Sequence, residues 1–158
     1  MGASSSKSKK RSGASSKSKP PEPVVFFLDR SLGSKIIARA LRDAGLDVHV
    51  HDDHFPPDAL DEDWLPTVGQ RGWVVLTKDT RIRYRAAELA AVRRANVRLF
   101  SLIAKDLQGP EMAQIFVRAV PSIRRLVQRT PAPFLAKITR SASVSLWVSP
   151  GRGTGRER

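Results

Sequence analysis

The stretch that decides the fold is VVFFLDRSLGSKIIARALRDAGLDVHV, residues 24–50. Its first five residues are apolar and rich in β-branched and aromatic side chains, which predicts a buried strand. Ser31 can cap a helix that runs to about Ala44, because apolar residues recur at helical spacing, and Gly45 is a typical helix end. LDVHV, residues 46–50, predicts a second strand. A strand, a helix and a second strand form the basic unit of a parallel sheet.

The rest of the chain continues this alternation of strands and helices. The predicted elements are a helix from near Asp61 to Gln70, a strand over 73–77, a helix over 86–95, a strand within 96–102, a helix over roughly 110–129, and an antiparallel terminal hairpin of 134–138 and 143–147. The strands before the hairpin are apolar throughout, which is typical of a sheet covered on both faces. We therefore predict an α/β fold with a mainly parallel central sheet and right-handed crossovers.

Composition indicates one globular domain with charged ends. The chain has 158 residues, of which 41% are hydrophobic and none is cysteine, so disulfides and thiolate metal sites are excluded. The net charge is +13, and residues 1–20 carry six Lys or Arg and no acid. We expect disordered tails over 1–22 and 149–158, and a single domain over 23–148. No apolar run is long enough to span a membrane and nothing resembles a secretory signal, so we expect a cytoplasmic location.

Acidic residues stand where ligands bind in such sheets, outside the carboxyl ends of the strands. Asp29 follows the first strand, Asp79 follows the third strand, and Asp61, Glu62 and Asp63 open the helix between strands two and three. Each acid also has an ordinary alternative, as a helix cap or as the partner of a neighbouring basic residue. Together, however, the acids could converge on one small volume.

Converging carboxylates point to a metal ion. Carboxylates packed together repel one another, and a hard divalent cation removes that repulsion. Magnesium prefers oxygen ligands from a few carboxylates, with water completing its octahedron. One or two such ions can lower the pKa of bound water and clamp a scissile phosphate without a nucleophilic side chain. The pattern of acids therefore predicts phosphodiester hydrolysis.

The charge distribution suits a polyanionic substrate. Residues 43–63 hold eight acids and no Lys or Arg, whereas residues 64–105 hold nine Lys or Arg and two acids. An acidic metal site beside a basic surface would place a phosphate backbone over the metal. The candidate substrate-binding residues are Lys78, Arg81, Arg83 and Arg85 for phosphates and Tyr84 for base stacking.

Two segments, VVFFLDRSLGSKIIARALRDAGLDVHVHDD and DALDEDWLPTVGQRGWVVLTKDTRI, carry a family resemblance. In that order and spacing they resemble the PIN-like nuclease domains, in particular the compact group that includes the ribonuclease toxins of type II toxin–antitoxin systems. The resemblance covers roughly residues 24–104, with the helix and hairpin to about residue 148 as a family-specific ending. It implies a Rossmann-like, three-layer α/β/α PIN-like domain with a C-terminal helix and β-hairpin.

The resemblance also implies a magnesium- or manganese-dependent endoribonuclease, with RNA as substrate and a small antitoxin protein as partner. The catalytic and metal-binding residues that it implies are Asp29, Asp61 and Asp79, with Glu62 or Asp63 as substitutes for Asp61. Such domains often carry a further acid two residues after the third-strand aspartate, where this chain has Arg81. That departure favours one bound metal over two, and it leaves open a degenerate domain that binds RNA without cutting it.

Other interpretations stay open on the sequence. Zinc could bind at His49, His51 and His54, with Asp52 and Asp53 close by. A phosphoacceptor receiver domain has a similar fold class, with Lys105 as its candidate lysine, although its acidic pair should follow the first strand. A non-catalytic RNA-binding protein fits the basic tails equally well. We also hypothesise a homodimer through the C-terminal helix, on its apolar residues Ile115, Val117 and Val120.

Overall fold

The computed structural model describes residues 23–148, so the predicted tails lie outside the described residues. Within that range the strands are β1 (Val25–Leu28), β2 (Asp47–Val50), β3 (Val74–Thr77), β4 (Arg98–Leu102), β5 (Phe134–Ile138) and β6 (Val144–Val148). The helices are α1 (Ile36–Asp43), α2 (Asp61–Gln70), α3 (Ala86–Ala95) and α4 (Gly109–Arg129). The strands form one sheet in the order β2-β1-β3-β4-β5-β6, in which β6 is antiparallel to β5 and the other pairs are parallel.

Helices cover both faces of the sheet. Successive residues of β1 point to opposite faces: Phe26 belongs to the core under α1 and α4, and Phe27 belongs to the core under α2 and α3. Both side chains are fully buried. A strand buried on both faces has no polar side to present, which explains the apolar strands of the sequence. The three-layer α/β/α architecture confirms the predicted fold class.

The C-terminal part confirms the predicted helix and hairpin and corrects the residues proposed for a dimer interface. The long helix runs through Pro121, and β6 begins at Val144, one residue later than expected. Ile115 and Val120 are 4% and 6% exposed and belong to the core under α4, so they cannot form an interface. Val117 is partly buried against the same core.

The connection after β1 differs from the prediction. Ser31 does not cap α1, which begins five residues later at Ile36. Instead, residues Arg30–Leu32 form a short 3-10 turn that is capped by the Asp29 side chain and ends at Gly33, whose φ is +74°. The backbone N–H of Ser31 donates to Asp29 Oδ1 at 2.6 Å. This local hydrogen bond holds Ser31 in the 3-10 turn and keeps it out of the capping position of α1.

The topology brings the predicted acids to one edge. Strands β1 and β3 are parallel neighbours, and the backbone N–H of Asp29 donates to the Leu76 carbonyl of β3. Residues that follow these two strands therefore meet at the carboxyl edge of the sheet, beside the first turns of α2 and α3. No helix among residues 23–148 is both long and apolar enough to cross a membrane.

Candidate active site

A pocket of about 380 Å³ opens at this carboxyl edge. Its walls come from the turn after β1, the start of α2, the loop after β3 and the start of α3. The lining residues are Asp29, Arg30, Ser31, Leu60, Asp61, Glu62, Trp64, Asp79, Arg85 and Glu88. Asp29, Asp61 and Asp79, which the sequence analysis selected, thus line one pocket together with Glu62.

Hydrogen bonds hold the Asp29 carboxylate in place. Its Oδ1 accepts from the backbone N–H and the hydroxyl of Ser31 at 2.6 and 2.5 Å, and its Oδ2 accepts from the Thr77 hydroxyl at 2.6 Å. A carboxylate has about four acceptor positions. Asp29 is therefore fixed in orientation and can still accept one more ligand.

Asp79 is placed between two arginines. Its Oδ1 lies 3.7 Å from Arg81 Nε, and its Oδ2 lies 3.5 Å from Arg85 Nη1. The Arg81 backbone N–H also donates to Oδ1 at 2.9 Å. The alternative interpretation of Asp79 as the partner of Arg81 therefore describes part of its environment, and Arg85 is a second partner that sequence reasoning did not foresee.

Asp61 lies at the first position of α2, and burial raises the pKa of its carboxyl above the ordinary value. The negative charges of Asp29 and, more weakly, Asp79 raise it further. Trp64 and Arg30 act in the opposite direction. The indole N–H of Trp64 is buried and makes no hydrogen bond of ordinary geometry among the described residues. It lies near enough to Asp61 to lower the pKa of that carboxyl. The acids of this pocket therefore interact electrostatically.

The two suggested substitutes for Asp61 are in different places. Glu62 is exposed and lines the pocket. Asp63 does not line the pocket, and its Oδ2 accepts from the backbone N–H of Leu60 at 3.2 Å. The capping role that the sequence suggested for Asp61 thus belongs to Asp63.

The basic residues after β3 fall into two groups. Arg85 is partly buried and lines the pocket, whereas Arg81 is 74% exposed and Tyr84 is 71% exposed. Lys78 is also exposed, and its backbone N–H donates to the Ser31 hydroxyl at 3.2 Å. The side chain of Arg83 lies outside the described part of the structure.

Glu88, in the first turn of α3, is a site residue that the sequence analysis missed. Its two carboxylate oxygens accept from Arg85 Nη1 at 3.1 and 3.0 Å. This hydrogen bond raises the pKa of the Arg85 guanidinium, so the side chain stays charged. An acid in the first turn of a helix is also what the helix dipole favours, which is why the sequence alone did not single it out.

The histidines do not form one ligand set. His49 Nδ1 and His54 Nε2 are 3.0 Å apart, and the His49 ring stacks on Trp73 at 4.1 Å. His51 is 2% exposed and packs among aromatic rings, with no hydrogen bond from either ring nitrogen to the described residues. Burial lowers the pKa of His51. His49 and His54 contact each other, but no three histidine or acidic side chains among residues 23–148 form a group that could hold a metal ion, which argues against the zinc alternative.

The residue types of the pocket fit a hard divalent cation. Carboxylate oxygens are the protein ligands that magnesium and manganese prefer. The pKa of Asp61 is raised by burial first and then by the negative charge of Asp29, and a cation would neutralise that charge. Within residues 23–148, no three histidine, aspartate or glutamate side chains lie in an arrangement that could hold a metal ion as they stand. An ion would therefore have to draw the carboxylates closer together.

Comparison with known proteins identifies the family. A family model described as "PIN like domain" matches residues 24–104. The chain is 30% identical over 123 residues to "Putative ribonuclease VapC45" of Mycobacterium tuberculosis (strain ATCC 25618 / H37Rv), an alignment that covers 75% of this chain and 88% of the relative. No solved structure matches the chain. The chain belongs to the PIN-like domain family, as its sequence resemblance predicted.

Proposed function

We propose that the protein is a metal-dependent endoribonuclease that hydrolyses RNA phosphodiester bonds. The observation that carries this proposal is that Asp29, Asp61 and Asp79 line one pocket at the carboxyl edge of a PIN-like domain. The relative that is 30% identical is itself named a ribonuclease, which supports the same reaction class here.

The cofactor that we propose is Mg²⁺ or Mn²⁺, held by Asp29, Asp61 and Asp79, with Glu62 as an alternative ligand. When bound, the ion would supply an activated water and positive charge for the phosphate. Asp63 is not among the proposed ligands, because its carboxylate caps α2 outside the pocket.

The surrounding residues would bind and orient the RNA. Lys78 and Arg81 are exposed beside the pocket and would contact phosphates, and the exposed ring of Tyr84 would stack on a base. Arg85 would contact the phosphate from within the pocket. A phosphate contact by Arg83 stays a prediction from the sequence.

We further propose that the protein is the toxin of a toxin–antitoxin pair. The family and the named relative support this assignment, and it implies a small antitoxin protein as partner and a cytoplasmic location. A homodimer stays a separate prediction.

The decisive test is RNA cleavage with and without Mg²⁺ or Mn²⁺, using the wild-type protein and the Asp79→Asn variant. We expect cleavage by the wild type only with the metal, and a fall to background in Asp79→Asn, because one carboxylate that holds the ion is lost. Asp63→Asn is the matched control, since the same change outside the pocket should leave cleavage intact.

Two results would contradict the proposal. Equal cleavage by wild type and Asp79→Asn would mean a contaminating nuclease or a site elsewhere. Tight RNA binding without cleavage, by both proteins and with either metal, would favour the alternative of a degenerate RNA-binding module.

A further inference from the structure

The guanidinium of Arg85 lies among carboxylates of the pocket, as a metal cation would. One nitrogen, Nη1, faces Glu88 Oε1 and Oε2 at 3.1 and 3.0 Å and Asp79 Oδ2 at 3.5 Å. Three carboxylate oxygens from two residues thus surround a single positively charged donor. Asp79 and Glu88 are each 26% exposed and Arg85 is 37% exposed, so these charges are only partly screened by solvent.

The position matters because two-cation phosphodiesterases place their ions about 3.5–4 Å apart, one for the attacking oxygen and one for the leaving oxygen. Here an arginine is already held by two of the acids that could bind a second ion. The chain also has Arg81, rather than a carboxylate, two residues after Asp79. Both features add fixed positive charge and reduce the number of carboxylates available to a second metal ion.

We propose that the Arg85 guanidinium takes the place of a second divalent cation, so that the chain binds one ion and Arg85 supplies the other positive charge. This inference rests on the proposed nuclease function and names the residue that completes its site. Glu88 is then a positioning residue, which orients Arg85 through both carboxylate oxygens.

The chemistry of arginine suits this role. The guanidinium stays protonated throughout, so no proton transfer is required of it. Its hydrogen bonds to Glu88 and its ion pair with Asp79 run through Nη1, so Nε and Nη2 make no hydrogen bond with either acid. The remaining N–H groups can therefore donate to two phosphate oxygens as charge builds up on them.

The test counts bound Mn²⁺ in the absence of RNA, by titration of the full chain followed through the EPR signal of the free ion. We expect one Mn²⁺ per wild-type chain and two per Arg85→Gln chain, because the uncharged amide frees Asp79 and Glu88 for a second ion. Arg85→Met provides a second uncharged variant that keeps the aliphatic stem, and thermal melts would establish that each variant folds.

Two matched variants separate the role of Arg85 from a general charge effect. Arg85→Lys keeps a positive charge in the pocket and should still bind one Mn²⁺. Arg81→Gln removes an equal charge near Asp79, but from a side chain that is 74% exposed, and should also bind one ion. Any wild-type stoichiometry other than one, or a single ion in folded Arg85→Gln and Arg85→Met, would overturn the inference.

The count of ions is independent of RNA cleavage. A wild-type protein that binds one Mn²⁺ but cuts no RNA would contradict the proposed function while the comparison with Arg85→Gln still decides the role of Arg85. Conversely, metal-dependent cleavage with two ions per wild-type chain would support the nuclease and remove Arg85 from this role.

Discussion

Thr77 links the two acids that follow β1 and β3. Its hydroxyl donates to Asp29 Oδ2 at 2.6 Å and accepts from the backbone N–H of Asp79 at 3.1 Å. The side chain is only 1% exposed, so water cannot replace either hydrogen bond. At the scale of single residues, the site is therefore built from paired hydroxyls and carboxylates rather than from acids alone.

Removing this hydroxyl should destabilise the protein. Thr77→Val keeps the volume of the side chain but leaves a carboxylate oxygen and a backbone N–H without their partner, and we expect a loss of about 1–3 kcal/mol in the free energy of unfolding. Urea denaturation without divalent ions measures it. Thr77→Ser is the control, because it keeps the hydroxyl and loses one methyl group, worth about 0.8 kcal/mol. Equal stability of Thr77→Val and wild type would contradict this role.

Helices α2 and α3 both contribute residues to the pocket wall and pack against each other, and their close approach depends on Gly69. A Cβ atom at Gly69 would overlap the carbonyl oxygen of Ala95, at the end of α3. The absence of a side chain therefore lets the two helices pack closely. Because α2 begins at Asp61 and α3 carries Glu88 in its first turn, this close contact also bears on the width of the pocket.

Gly69→Ala tests this contact at the scale of the element. Alanine favours an isolated helix over glycine by about 1 kcal/mol, yet we expect a net loss of about 1–3 kcal/mol, because the helices must move apart. Gly109→Ala is the matched control, since the atoms nearest to its Cβ would belong to the flexible side chain of Ile36, with Cδ1 at 3.1 Å. Urea denaturation of both variants is the measurement, and a stabilised Gly69→Ala would show that the contact is not limiting.

Charge is unevenly distributed over the whole molecule. Six Lys or Arg lie within residues 1–20, and three Arg with one Glu lie within residues 151–158. The acidic pocket, by contrast, lies in the domain between them. We therefore expect the ends to attract RNA without regard to sequence, whereas the proposed active site in the pocket would act on it.

Deleting residues 1–20 should weaken RNA binding mainly at low salt. Each phosphate contact on a single strand contributes about 0.7 to the slope of log K against log salt, so six lost charges should reduce that slope by at most about 4. Fluorescence anisotropy with labelled RNA and EDTA measures the slope without cleavage. Deleting residues 151–158 is the control and should have a smaller effect, and an unchanged slope after the first deletion would exclude the contribution of residues 1–20.

Acid should weaken the fold through His51. Burial lowers its pKa below the ordinary value of 6.5, so between the two pKa values the unfolded state binds more protons than the folded state. The contribution of His51 to the free energy of unfolding should therefore fall as the pH drops below 6.5. Partial desolvation, together with the neighbouring His49 and Arg71, lowers the pKa of His54 as well, so its contribution has the same sign.

His51→Phe should flatten this pH dependence, because a phenyl ring does not bind a proton. The new ring would have aromatic neighbours, since the ring centroid of His51 lies 6.2 Å from that of Phe27 and 5.6 Å from that of Phe55. Urea denaturation at several pH values, without divalent ions, measures the slope. His54→Gln is the control and should retain the contribution of His51. A wild-type slope that persists in His51→Phe would assign the acid sensitivity to other groups.

The sequence alone determined the order of strands and helices, the parallel sheet and the family. Apolar runs, helical spacing and turn residues are local signals, and acids directly after strands must lie at the carboxyl edge of a parallel sheet. For that reason Asp29 and Asp79 could be selected from their positions in the chain. The start of α1 could not be predicted in the same way. Ser31 hydrogen-bonds to the Asp29 side chain instead of capping α1, and the helix begins only at Ile36.

Only the tertiary structure decided which charged residues surround these acids. Nothing local distinguishes Glu88 from an acid that favours a helix dipole, and the sequence selected Arg85 as a phosphate contact without indicating its acidic partners. Arg85 and Glu88 are three residues apart and pair locally, whereas the contact of Arg85 with Asp79 depends on the path of the 3-10 turn over Ile82–Tyr84. Hydrophobic spacing therefore determines which elements form, whereas the meeting of Asp29, Asp61 and Asp79 in one pocket depends on the packing of elements that are distant in sequence.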